Sequence, residues 1–245
     1  MTAPRRIAAL LAALALAGCD ENPSFDHLVL ALSWEPAFCQ FNADKPECRA
    51  LGGGDFASTH LAIHGLWPDT AESKRLRYCG VDDKIKTLDQ SNRWCELPEP
   101  QLSAATRAAL DAAMPGARSC LDRHEWIEHG SCAGIDAERY FSTTLRLAAA
   151  VQASKLGDLL AANVGRKLSR RRLIDAFEAT FGRDAGRALA LLCTSSGAER
   201  LLIEVRITLE PSAIDGDLGA RDLRPNAAGT AGSCPAALLI DPAGP

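Results

Sequence analysis

HLAIHGLW, residues 60–67, is an apolar run of strand length closed by Pro68, with His64 inside it. A matching run lies upstream, FDHLVLALSW at 25–34, bounded by Pro23 and Pro36. Both read as strands, because short apolar segments bracketed by proline favour extended chain over helix. The connection between them carries Cys39, Cys48 and the glycine triplet 52–54. It is a long loop, tolerable if a bridge between those two cysteines ties it down.

Outward from the second run the periodicity changes to that of helices. Alanine and leucine spacing from Ser103 to Met114 predicts a helix capped by Ser103 and stopped by Pro115-Gly116. Further helices are expected from near Asp122, over 137–153, over 155–164, and over 169–181 with Ser169 as cap and Gly182 as terminator. RALALLC (187–193), LLIEVRITL (201–209) and AALLI (236–240) return to strand character, with Glu204 and Arg206 on the alternate, outward face of the middle one. The segment 212–233 reads as a surface loop anchored near Cys234. Strands at both ends with helices between them predict one α+β domain, a central antiparallel sheet with packed helices, and no βαβ rhythm or glycine-rich phosphate loop.

The first residues carry another message. Arg5 and Arg6 precede an apolar run from Ile7 to Ala17, too short to span a membrane, so 1–18 reads as an export signal and 19–245 as the mature domain. Leu16-Ala17-Gly18-Cys19 fits a lipoprotein signal in which Cys19 becomes the lipidated first residue, and Ala15-Leu16-Ala17 fits ordinary cleavage. The lone cysteine at that position favours lipidation and a lipid anchor. The expected location is the periplasm, free or membrane-anchored. Removing the signal takes two cations from a chain of formal charge −4, so any affinity for a polyanion must be local. Eight of the nine cysteines lie beyond Cys19, an even number that in an exported chain reads as four disulfides. No Cys-x-x-Cys pair points to zinc.

Chemistry concentrates in IHGLWPD (63–69) and HEWIEHGSC (124–132). On a helix Glu125 and His129 share a face, so Glu125 supports His129. His124, about 140° away, reaches the site from the flank unless the helix is irregular. Two imidazoles that titrate near neutrality suit attack of a ribose 2′-hydroxyl on its own phosphate, one taking the hydroxyl proton and the other protonating the leaving 5′-oxygen. No metal or other cofactor is needed for that reaction.

These two segments resemble the active-site segments of the ribonuclease T2 family, and ALSWEPAFC (31–39) resembles its first strand and first half-cystine. The resemblance implies an endoribonuclease that cuts single-stranded RNA through a 2′,3′-cyclic phosphate to 3′-phosphate ends and spares DNA. His64 would be the general acid, His129 the general base and Glu125 the transition-state support. His124 would contact phosphate, Trp67 would stack on a base, and Asp69 would read a base edge or cap its own turn. The implied disulfides are Cys39 with Cys48, Cys79 with Cys132, Cys193 with Cys234, and Cys95 with Cys120. A monomer is expected. One position departs from the family: Glu128 stands where lysine is usual. It puts an anion beside the scissile phosphate if it points inward, with Arg123 or another basic group to fill the gap. Two rival readings follow, a zinc hydrolase on His64, His124 and His129, and an RNA-binding lipoprotein whose catalysis has decayed.

Overall fold

Leu28, Leu30 and Leu32 alternate along β1 (His27–Ser33), and all three are fully buried. The computed structural model describes residues 25–71, 76–227 and 232–244, so the expected signal over 1–18 and Cys19 lie outside the described residues. After β1 the chain forms two one-turn helices that the sequence reading took as loop, α1 (Glu35–Cys39) and α2 (Pro46–Ala50), each with proline in its first turn. They precede β2 (Ala62–Asp69).

A helical block comes next: α3 (Asp83–Gln90), also not expected, α4 (Ala104–Ala113), α5 (Leu121–Glu128), α6 (Ala137–Gln152) and α7 (Lys155–Ala161). Ser103 caps α4 by accepting from the Thr106 N–H, as the sequence predicts. A three-residue strand, β3 (Lys167–Ser169), leads into α8 (Arg170–Phe181), whose cap is Ser169. The chain closes with β4 (Leu189–Ser196), β5 (Glu199–Leu209) and β6 (Ala237–Leu239).

The sheet order is β2-β1-β5-β6-β3, with β4 on the other edge of β5. Its ladders are antiparallel except at one contact, Leu201 of β5 with Leu239 of β6. β4 and β5 form a hairpin through Gly197-Ala198, where Gly197 takes a φ of 56°. One face of the sheet meets α6, whose Tyr140, Phe141, Leu147 and Val151 are fully buried against it. The Tyr140 hydroxyl stays satisfied there by donating to the Leu66 carbonyl at 2.7 Å. The other face, beside β2, carries Trp67 and Arg206.

Two irregularities matter for that face. Ala31 pairs with Gly65 and Leu32 with Ile63, so His64 is an extra residue, a bulge in the β1–β2 ladder. Strict alternation would send His64 into the core with Leu66 and Pro68. The bulge instead turns it to the side of Trp67. In β5 the register against β4 also slips, next to Glu204, leaving Ile203 as the extra residue. All four disulfides implied by the family resemblance are present: Cys39–Cys48, Cys79–Cys132, Cys95–Cys120 and Cys193–Cys234.

Candidate active site

Trp67 is the hub of the site. Its ring centroid lies 5.2 Å from that of His64, edge-on, and 5.4 Å from that of His129. Its indole N–H donates to Glu125 Oε2 at 2.8 Å, and the Arg206 guanidinium sits over the ring at 4.9 Å. The two imidazoles singled out from the sequence therefore flank one aromatic side chain, although they come from a strand and from the end of a helix.

His64 is held from both sides. Its Nδ1 is 2.8 Å from Glu204 Oε2, and its Nε2 is 3.6 Å from Glu125 Oε1. Glu204 is also tied to the Arg206 guanidinium. Burial pushes the His64 imidazole down, but the Glu204 hydrogen bond and the Glu125 and Glu204 charges more than reverse this, so its pKa lies above the ordinary value. Glu204 itself is penalised by burial yet falls below the usual carboxylate range, because His64 and Arg206 favour its charged form. The expected outward placement of Glu204 is thus corrected. It does lie on the face opposite the core, but that face is a protein-lined cleft and the residue is only 8% exposed.

Glu125 is 1% exposed. Burial lifts its pKa, while His64, His124 and the Trp67 N–H pull it down and burial prevails. The carboxylate is aimed at His64 and Trp67, where helix spacing predicts support of His129. The difference arises at the end of α5: His129 is the cap residue, with φ −115° and ψ −52°, so the helical spacing no longer governs its direction. The same break brings His124 and His129 rings to 6.3 Å, despite the wide angle that a regular helix would impose.

The approach of Glu125 to β2 needs Gly65. A Cβ built there would stand 1.9 Å from Glu125 Oε2 and 2.7 Å from Trp67 Nε1. Gly65→Ala is expected to break the Glu125–Trp67 hydrogen bond and lower stability by about 1.5–3 kcal/mol, as loss of a buried bond to a carboxylate does. Urea unfolding reads this directly, and an unchanged midpoint would show that the methyl group is accommodated.

His124 is stacked on Trp94 with centroids 4.3 Å apart, and its Nδ1 lies 2.7 Å from Asp89 Oδ1. Burial lowers its pKa, and the Asp89 bond together with Glu125, Asp89 and Glu128 raises it to a net value above the ordinary one. Glu128 points inward and is 6% exposed. Its Oε1 pairs with Arg77 at 2.6 Å. Its Oε2 accepts from the Tyr78 hydroxyl at 3.2 Å and lies 3.3 Å from His124 Nε2. A basic residue does offset the anion, then, and it is Arg77; Arg123 instead binds the Cys95 and Leu97 carbonyls and Glu99. Asp69 Oδ1 accepts from the Thr70 backbone N–H at 2.8 Å, the self-capping turn geometry. Asp69 also lines a cavity of about 680 Å³ together with Trp67, His129, Arg206, Arg224 and Asn226.

The three histidines of the zinc-hydrolase reading do not meet as one donor set. The donors that converge are His124, Glu128 and His129, whereas His64 is engaged by Glu204 and Glu125. Glu204 and Arg77 are the residues that sequence reasoning missed.

Comparison with known proteins bears on the same segments. Residues 25–216 match the Ribonuclease T2 family. Ribonuclease I of Escherichia coli is 36% identical over 240 residues, 90% of this chain and 87% of that protein. A probable ribonuclease of Haemophilus influenzae is 30% identical over 130 residues, 51% of this chain and 43% of that one. Among solved structures, Japanese pear S3-RNase gives a TM-score of 0.58 at 17% identity, covering 88% of this chain and 99% of that chain. RNase MC1 from bitter gourd seeds gives 0.54 at 19% identity, covering 88% of this chain and 100% of that one. At such identities the structures speak to the fold alone.

Proposed function

Because the chain belongs to the ribonuclease T2 family and is an endoribonuclease, we propose that it cleaves single-stranded RNA by transesterification with His64 and His129 as the acid–base pair. The observation that carries this reading is the pair of imidazoles on either side of Trp67, one of them bracketed by two carboxylates.

His129 takes the proton of the 2′-hydroxyl, whose oxygen attacks the adjacent phosphorus in line. His64, protonated and presenting Nε2, gives its proton to the departing 5′-oxygen. The products are a 2′,3′-cyclic phosphate and a 5′-hydroxyl; water, with the two imidazoles in exchanged roles, opens the cycle to a 3′-phosphate. Glu125, which accepts from the Trp67 indole N–H and lies 3.6 Å from His64 Nε2, supports the transition state through the His64 imidazolium. His124 contacts phosphate, Trp67 offers a stacking surface for a base, and Asp69 stands at the cavity where a base edge would lie. DNA lacks the attacking hydroxyl and is spared.

Glu204 is a positioning residue in this scheme. By binding Nδ1 it fixes the tautomer that puts the labile proton on Nε2, and its charge favours the imidazolium. Glu204→Gln keeps the acceptor and removes the charge, so the His64 pKa falls. A general acid works below its pKa and fails as pH rises through it, so the alkaline limb of the kcat/KM profile is expected to move to lower pH while the acidic limb stays. An alkaline limb that does not move would separate Glu204 from the chemistry.

Export follows the same proposal. Four disulfides in one chain fit an oxidising compartment. The segment 1–18 is the signal, and Cys19 is the residue lipidated if the protein is anchored. The deciding experiment for the reaction is RNA cleavage in excess EDTA with analysis of the ends. Cyclic phosphate formed at an undiminished rate supports the two-imidazole reading. Chelator-sensitive cleavage makes the site a metal centre, and no cleavage under any condition makes it a decayed binding module.

A further inference from the structure

We propose that Arg206 is a further catalytic residue, which binds a non-bridging oxygen of the scissile phosphate through its Nη atoms and meets the charge that builds there. The inference deepens the acid–base reading and rests on it for the place of that phosphate, between His64 and His129.

Strand pairing directs Arg206 towards the site. On β5 it stands opposite Ala31 of β1, and Ala31 stands opposite Gly65 of β2. Residues directly opposite one another in a sheet share a face, so the row from Arg206 to β2 holds no side chain larger than a methyl group. The long arginine stem is free to lie over β1, and it carries the guanidinium to 4.9 Å from the centre of the Trp67 ring. His64 and His129 lie 5.2 Å and 5.4 Å from that same centre. A phosphate held between the two imidazoles is therefore within reach of the guanidinium.

One edge of that guanidinium is committed and the other is open. Its Nε donates to Glu204 Oε1, while Glu204 Oε2 binds His64 Nδ1. Among the described residues no partner engages Nη1 or Nη2, and the side chain is 32% exposed. A guanidinium fork of this kind matches the oxygens of a phosphate. Arg224, which lines the same cavity, is occupied: it donates to the Asp26 carbonyl and lies 3.6 Å from Glu210. Arg77 is occupied by Glu128. The carboxylates around the imidazoles, Glu125, Glu128, Asp89 and Glu204, are all buried there. In a chain of formal charge −4, such a cleft repels a phosphodiester unless a local cation faces it. Arg206 does so, and Glu204 keeps it in a fixed relation to His64, so that the proton donor and the phosphate contact are set by one carboxylate.

The test compares the wild type with Arg206→Met, which keeps the stem and removes the fork, on a dinucleotide with sulfur in place of either non-bridging oxygen of the scissile phosphate. Sulfur accepts hydrogen bonds poorly. The wild type is expected to cut one diastereomer about ten- to a hundredfold more slowly than the other, the weight of one hydrogen bond to a charged group. Arg206→Met is expected to lose about 10²- to 10³-fold in kcat/KM on the all-oxygen substrate, as removal of a donor to transition-state charge does, and to cut both diastereomers at about the same rate. Circular dichroism checks folding, and Arg206→Lys, which retains the cation without the fork, carries the same comparison if Arg206→Met does not fold. A wild type that does not discriminate, or a variant that discriminates as the wild type does, overturns the contact. So does an alkaline limb of the kcat/KM profile that moves to lower pH in Arg206→Met. That would place the loss in the hold of Glu204 on His64, whereas removing the nearby cation by itself raises the His64 pKa and moves the limb to higher pH. Failure of the acid–base reading is distinct: it shows with Arg206 in place, as missing cyclic phosphate ends or undiminished activity of His129→Ala.

Discussion

Alanine at His64 or at His129 is expected to lower kcat/KM on RNA by about 10²- to 10⁴-fold, the usual contribution of a positioned acid or base. The two losses differ in kind. A substrate whose leaving group is a stable phenolate needs no proton at departure, so it should restore most of the rate of His64→Ala. His129→Ala gains nothing from that substrate, because the 2′-hydroxyl must still lose its proton. The double variant should be little worse than the poorer single one, since the pair acts as a unit. Rescue of His129→Ala and not of His64→Ala would reverse the roles, and full activity in either variant would end the assignment. Glu204 strengthens the expectation for His64: an imidazole bound at Nδ1 by a carboxylate has one proton direction left.

The second large effect is expected from the Cys79–Cys132 disulfide. It closes a loop of 53 residues and anchors the segment of Arg77 and Tyr78 beside α5, where the Tyr78 N–H also donates to the Glu128 carbonyl at 2.9 Å. Replacing both cysteines by serine should cost about 2–5 kcal/mol, which for a chain of this size is on the order of 5–15 °C in Tm. Cys39–Cys48 spans only 9 residues, and loop-closure entropy makes its removal about 1.5 kcal/mol milder. Thermal unfolding of the two double variants side by side tests the ordering. If the short bridge matters more, native contacts and not chain entropy decide these contributions.

Most of the frame was legible because its signals are local. Ser103 and Ser169 announce helix starts, the apolar runs announce β1, β2, β4 and β5, and the disulfide pairing followed from the family resemblance. The short helices α1, α2 and α3 were not, because one- and two-turn helices carry too few residues for periodicity to stand out. His64, His124, Glu125 and His129 were legible as a motif pair, but the partners of Glu125 were not: they depend on where α5 stops, and His129 ends it. Glu204 was hidden for a different reason. Alternation tells which residues leave the core, but not whether the face they enter is water or another wall of protein. Arg77, more than fifty positions before Glu128 once the helices are laid out, is joined to it only by the fold.

The bulge at His64 separates two requirements that an ordinary strand would force together. Ile63 and Leu66 keep their places in the core on either side of it, and a β2 without residue 64 would have an unbroken ladder with Ile63, Leu66 and Pro68 facing the same way as now. The sheet therefore does not depend on His64. The residue proposed as the acid is a surplus letter in this strand, and the core can be rewritten around it, or the letter lost, without either change dictating the other.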